Sequence, residues 1–139
     1  MNYLLDTNVI SELVAKQPSP KVVAWIDSIA DERIYLSALT IGELKKGIEK
    51  LPPSPRQALL RNWLHEELLV RFAGRILAID TAVMLTWGQV TATLEQRGRK
   101  LPAMDSFIAA LALQNRFTLV TRNDTDFADT GVTLLNPWL

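Results

Sequence analysis

Tyr3-Leu4-Leu5-Asp6-Thr7-Asn8 is the stretch on which the fold turns. Its apolar residues suit a short buried strand, and that strand ends on a carboxylate followed by two small polar residues. Two more acids recur in similar settings: Glu43 in Leu39-Thr40-Ile41-Gly42-Glu43-Leu44, and Asp105 in Leu101-Pro102-Ala103-Met104-Asp105-Ser106. If the fold brings the three together, their charges repel. Such a cluster must take up protons or bind a cation.

Outward from Asp6, apolar runs alternate with longer helical patterns. The strand candidates are Asn2-Leu5, Ile34-Leu36, Ile76-Ile79, Thr118-Val120 and a weak last one at Thr133-Leu134. Helical spacing appears in Val9-Val14, in Val22, Val23, Ile26 and Ile29, in Ile41, Leu44 and Ile48, and in Leu59, Leu60, Trp63, Leu64 and Leu68. The segments Thr81-Gln96 and Asp105-Asn115 continue it. Pro18 and Pro20 separate the first two helices, and Leu51-Pro52-Pro53-Ser54-Pro55 breaks a helical region. Gly98 ends the long helix, with Arg97, Arg99 and Lys100 at its negative end. Strands alternating with helices predict an α/β fold, a parallel sheet of four to five strands with helices on both faces. Residues 1–139 read as one domain, with no internal repeat and no linker.

The length suits one domain with a sizeable core. With 48% apolar and 22% charged residues, the chain is globular and not disordered. It has no cysteine, which excludes disulfides, thiolate zinc sites and cysteine nucleophiles. No secretory signal is visible, and no stretch reaches the roughly 18 apolar residues that cross a bilayer. A soluble, cytoplasmic protein without a membrane partner is expected. Fifteen basic residues balance 15 acidic ones, so no strongly basic nucleic-acid footprint exists. Charges that segregate by face, or a bound cation, leave nucleic acid open as a partner.

In open α/β sheets, ligands bind beyond the carboxyl ends of the strands, where the strand order reverses. Asp6 follows the first strand candidate, Glu43 enters the helix after the second, and Asp105 opens the helix before the fourth. Thr121-Arg122-Asn123-Asp124-Thr125-Asp126-Phe127 follows that fourth strand. A right-handed parallel topology can place all four segments around one mouth. Clustered carboxylates without Cys or His suit the hard cations Mg²⁺ or Mn²⁺. Each acid also has an ordinary structural use. Asp6-Thr7-Asn8 can cap a helix, and Thr40-x-x-Glu43 matches a capping box. Asp105 after Pro102 is a usual helix start, and Asn123-Asp124 can form an Asx turn. Thr7, Asn8, Ser37, Thr40, Thr121 and Asn123 can brace the carboxylates, or serve as turns and caps.

Leu4-Leu5-Asp6-Thr7-Asn8-Val9-Ile10-Ser11-Glu12 resembles the opening of PIN-domain ribonucleases. The likeness continues through Val23-Ala24-Trp25-Ile26, Tyr35-Leu36-Ser37-Ala38, Ile41-Gly42-Glu43-Leu44-Lys45-Lys46-Gly47-Ile48, Phe72-Ala73-Gly74-Arg75-Ile76-Leu77, Asp105-Ser106-Phe107-Ile108-Ala109-Ala110, Thr121-Arg122-Asn123 and the ending Asn136-Pro137-Trp138. The branch it resembles is the VapC-type toxins of bacterial toxin–antitoxin pairs, FitB-like. The resemblance implies a three-layer α/β/α PIN domain that cleaves RNA with Mg²⁺ or Mn²⁺ held by Asp6, Glu43 and Asp105. It further implies a homodimer, neutralised by a cognate antitoxin protein through which alone it reaches operator DNA. The family usually has a fourth acid near Thr121. Asn123 stands at one aligned position, Asp124 lies beside it, and Asp126 precedes Phe127 as an acid does in other relatives; Asp126 is favoured. Arg122 is a candidate for RNA phosphate or for the antitoxin.

The other residues that could carry chemistry have plainer uses. Trp25, Trp63, Trp87 and Trp138 can stack on bases, but three of them keep apolar helical spacing and are expected in packing. His65, in an apolar helix, is expected at the surface or in helix packing. Arg97-Gly98-Arg99-Lys100 can contact phosphate or cap a helix. The apolar-rich segment Leu51-Leu69 can form a groove for the antitoxin's tail or a dimer face. An acid-based α/β phosphatase needs a second aspartate two residues after the first, where this chain has Asn8. A receiver-type phosphoacceptor needs a lysine where Arg122 stands, and no P-loop is present. A catalytically silent PIN-fold binding module is the remaining rival, and the three core acids argue against it.

Overall fold

The structure is a computed structural model and describes residues 1–139. The chain runs β1 (Tyr3–Leu5), α1 (Thr7–Leu13), α2 (Pro20–Asp27), β2 (Ile34–Ser37), α3 (Ala38–Glu49), α4 (Pro55–Asn62), a π-helical segment (Trp63–Leu68) and the short α5 (Leu69–Arg71). It continues through β3 (Ile76–Leu77), α6 (Thr81–Gln96), α7 (Ala103–Asn115), β4 (Thr118–Val120) and β5 (Leu134–Leu135). All five strands are parallel, in the order β3-β2-β1-β4-β5. β1 is therefore central, and the chain builds outward from it in both directions. The strand order reverses there, which sets a ligand mouth at the carboxyl end of β1.

Alternation along the strands makes the three layers. Leu5, Leu36 and Val120 point to one face, where they pack with Val9, Ile10, Ile26, Leu44, Leu64 and Phe72 from α1 to α4 and the segment beyond. Leu4 and Leu119 point to the other face, against Val83 of α6 and Ile108–Ala112 of α7. Period-two alternation thus feeds two cores from one sheet. Burying each large side chain in them contributes about 1.5–3 kcal/mol. Trp25 closes the first core edge-on to Tyr3, with ring centroids 5.1 Å apart.

The expected elements are present with shifted ends. Asn2 lies outside β1, although its carbonyl still accepts from Thr118 N. β2 runs one residue longer than expected, to Ser37. β3 stops at Leu77 and not Ile79, because an edge strand is held on one side only and just Ile76 and Leu77 find partners. The last strand is Leu134–Leu135, one residue later than Thr133-Leu134. Pro20 is the first residue of α2, where its fixed φ suits a helix start, so it does not lie between the helices. Gly98, at φ +72°, turns the chain after α6 so that Arg99 N returns to Leu94 O at 2.8 Å. The helical pattern through Leu59–Leu68 is real but passes through the π-helical segment, with Leu64 and Leu68 still buried. His65 in that segment is exposed, as expected.

Candidate active site

Three strand ends and one helix start converge on a cleft of about 540 Å³ lined by Asp6, Thr7, Asn8, Glu43, Asp105, Arg122 and Asn123, among others. Asp6 sits at the end of the central strand, and its amide continues the ladder by donating to Val120 O at 2.9 Å. It also caps α1, accepting from Thr7 N at 2.8 Å. The structural use and the site use of Asp6 therefore coexist. Its second oxygen accepts from the buried Thr121 hydroxyl at 2.9 Å, with the Asn8 amide at 3.5 Å. Burial pushes Asp6 above the usual carboxylate range; the bonds from Thr121 and Thr7 pull the other way, and the Glu43 charge adds to the rise.

Glu43 is not the acid of a capping box. Ser37 caps α3 by accepting from Thr40 N at 3.1 Å, so the helix begins at Ala38 and Glu43 stands a turn and a half inside it. From there its carboxylate reaches across to α1. The Thr7 hydroxyl donates to Glu43 Oε1 at 2.6 Å and lies 3.0 Å from the buried Thr40 hydroxyl. Thr7 has one proton, so with that proton on Glu43 it accepts from Thr40. A chain of two hydroxyls then fixes the carboxylate.

Asp105 is in the first turn of α7, as its place after Pro102 suggested. Burial, followed by the charges of Asp6, Glu43 and Asp126, pushes it up to about 6. Asp105 thus feels the charges of the other three, and like charges with no basic partner favour a cation among them. The acids ring an open mouth, and no three of them close into a finished metal cage. The donor set is all oxygen, which fits a divalent cation of the Mg²⁺ or Mn²⁺ type.

The turn after β4 separates the candidates for the fourth acid. Asp126 interacts with Asp105 and also lines a neighbouring cavity with Arg99 and Lys100. Asp124 Oδ1 instead accepts from the Asn136 amide at 3.1 Å, so it is engaged in holding the turn. Asn123 N donates to Thr121 Oγ1 at 3.1 Å, and Arg122 N to Asn8 Oδ1 at 3.3 Å. Asn8, where a phosphatase would carry its second aspartate, is thus a brace between Asp6 and this turn.

Two features of the cleft were not expected from the sequence. Glu12 lines its wall, with Oε2 accepting from Ser19 N at 2.9 Å. Trp138 lines its rim, beneath Arg122. The ending Asn136-Pro137-Trp138 carried the signal for Trp138, but nothing in its spacing connects it to Asp6.

The PIN domain family model matches residues 3–132. The chain belongs to the PIN domain family. Toxin FitB of Neisseria gonorrhoeae is 41% identical over 135 residues, covering 97% of each chain. VapC ribonuclease Y4jK of Sinorhizobium fredii is 37% identical over 135 residues, covering 97% of this chain and 96% of its own. Among solved structures, FitAB bound to an IR36 DNA fragment superimposes on this PIN domain with a TM-score of 0.95 at 39% identity, covering 99% of this chain and 96% of that one. In this chain Asp6 follows the central strand, with Glu43 and Asp105 lining the same mouth.

Proposed function

We propose that this PIN domain, the whole of residues 1–139, is a metal-dependent endoribonuclease. It hydrolyses RNA phosphodiester bonds as the toxin of a VapBC-type toxin–antitoxin pair. The observation that carries the reading is the convergence of Asp6, Glu43 and Asp105 on one cleft at the carboxyl end of the central strand, with Asp126 near enough to act on Asp105. A chain that keeps three acids around one cleft, with a fourth acting on Asp105, expends stability on a cation site. A silent docking module has no need of that expense.

Asp6, Glu43 and Asp105 would hold Mg²⁺ or Mn²⁺, with Asp126 as the fourth acid. An ion held there would supply an activated water and charge stabilisation for the leaving oxygen. The chain's own residues orient the acids. Thr121 and Asn8 aim Asp6, and Thr40 acting through Thr7 aims Glu43. Arg122, the one cation lining the cleft, meets the incoming phosphate. No histidine is needed, in keeping with the exposed position of His65.

FitAB on DNA, at 39% identity, supports a cognate antitoxin as the protein partner, with operator DNA reached through it. An apolar groove lined by Val14, Leu44, Gly47, Leu51, Leu60 and Trp63 runs into Thr7, Ser11 and Glu43. Leu51, Leu60 and Trp63 belong to the segment expected to receive the antitoxin's tail, while Val14, Leu44 and Gly47 come from outside it, and a segment lying in the groove would end at the acids. No helix is long and apolar enough to cross a membrane. The protein acts in the cytoplasm, as a homodimer.

The test is purified protein with RNA and Mn²⁺ or Mg²⁺, beside Asp6→Asn, Asp105→Asn and an EDTA control. Cleavage by the unaltered chain alone is expected. Equal cleavage by both variants, or cleavage that survives EDTA, overturns the metal mechanism.

A further inference from the structure

Arg122 is surrounded by acids and pairs with none of them. Its guanidinium lies instead 5.2 Å from the centroid of the Trp138 ring. This is the one cation and the one aromatic ring lining the cleft. A free arginine beside Asp6, Asp105 and Glu43 would be drawn to a carboxylate. The ring holds it away, on the rim. A stack of this kind at an exposed site biases the direction of the side chain without immobilising it.

The ring is itself fixed by the last turn of the chain. Asn136 donates from its amide to Arg122 O at 3.2 Å and to Asp124 Oδ1 at 3.1 Å. Its own side-chain oxygen accepts from Trp138 N at 2.9 Å. One side chain thus ties both ends of the stack, the backbone of Arg122 and that of Trp138. Pro137 between them is buried.

We propose that Arg122, Trp138 and Asn136 form a phosphate anchor for single-stranded RNA at the rim of the acidic cleft. Arg122 binds the phosphate; Trp138 and Asn136 are positioning residues that act through it. The proposal deepens the ribonuclease reading and rests on it. The acids repel a polyanion, so the substrate needs one cation that they do not neutralise. The ring keeps that cation available. It also leaves the guanidinium plane as a surface on which an unpaired base can stack.

The test uses the full chain carrying Asp105→Asn, expected to bind without cleaving, in Mg²⁺ with a fluorescein-labelled single-stranded RNA. Fluorescence anisotropy across a salt series reads Kd and its salt slope. Arg122→Ala is expected to weaken binding about tenfold and to lower the slope by about 0.7, one phosphate contact on a single strand. Arg122→Lys keeps the slope but loses most of the affinity, since an ammonium does not reproduce the stacked fork. Trp138→Leu behaves like Arg122→Lys, and Trp138→Phe restores most of the loss. Thermal melts of each variant exclude unfolding as the cause. Arg122→Ala with unchanged Kd and slope overturns the anchor, and so does a parent that fails to bind the probe. Trp138→Leu with parental affinity overturns the positioning role. Failure of the unaltered chain to cleave RNA is a separate result, and it removes the ribonuclease reading instead.

Discussion

The Thr7 hydroxyl donates to the Glu43 carboxylate at 2.6 Å, joining the residue after the first strand to the middle of α3. Thr40 stands behind it at 3.0 Å, fully buried. Thr7→Val removes the donor and keeps the shape, so Glu43 is left free to swing. Activity should fall about 10–100-fold, the usual cost of losing a group that braces a metal ligand. Thr7→Ser should keep most of it. The check is cleavage rate against Mn²⁺ concentration. A Thr7→Val variant with unchanged metal dependence would mean that the bond is ornamental.

Asp105 gives a stability prediction of definite sign. Its carboxyl sits at about 6 in the folded chain against an ordinary 3.8, so the folded state holds the proton more tightly. Its contribution to stability is full below about pH 4 and is lost as pH rises through about 6. Asp6, also raised, adds in the same direction. In EDTA at pH 7.5, Asp105→Asn should therefore melt higher than the unaltered chain, by about 3 °C for about 1 kcal/mol once exposure is discounted. The gap should close near pH 4. Mn²⁺ should raise the unaltered chain more than the variant, because binding to the native state stabilises it. Calorimetry at the two pH values, with and without Mn²⁺, checks all three statements.

The groove beside Glu43 can be filled without harming the fold. Gly47 is exposed on α3, and a Cβ built there meets nothing within 4 Å. Glycine inside a helix costs about 1 kcal/mol relative to alanine, so Gly47→Leu should leave stability equal or higher. The leucine side chain would occupy the groove. Cleavage of RNA should continue while inhibition by the cognate antitoxin weakens. Co-purification and inhibition curves measure this. An antitoxin that binds Gly47→Leu with parental affinity docks elsewhere.

The α/β alternation was legible because short apolar runs and the helical period differ clearly in this chain, and because Leu4 and Leu5 feed opposite cores. Asp6 and Asp105 were legible for the same reason: each lies at the end of an element. Glu43 was only half so. Thr40-x-x-Glu43 has the spacing of a capping box, and only the cap at Ser37 shows that Glu43 is free to face Thr7. The Arg122–Trp138 stack was not legible, since the two residues meet through the pairing of β4 with β5. No local pattern carries that information.

The fourth acid is the case where three neighbouring residues could be told apart only by the folded turn. Asp124 accepts from Asn136, which holds the turn to the last strand, while Asp126 acts on Asp105 through its charge. The two acids therefore predict different failures. Asp126→Asn removes a like charge from the cluster, so the Asp105 carboxyl should titrate below about 6, a shift that NMR can follow directly. The same change should weaken Mn²⁺ binding with little loss of stability, since Asp126 is exposed. Asp124→Ala should leave the Asp105 titration in place. It should cost about 0.5–1.5 kcal/mol of stability through the lost Asn136 bond, and should disturb activity only as far as the turn loosens. If Asp124→Ala moves the Asp105 titration and Asp126→Asn does not, the assignment is reversed and Asp124 is the fourth acid.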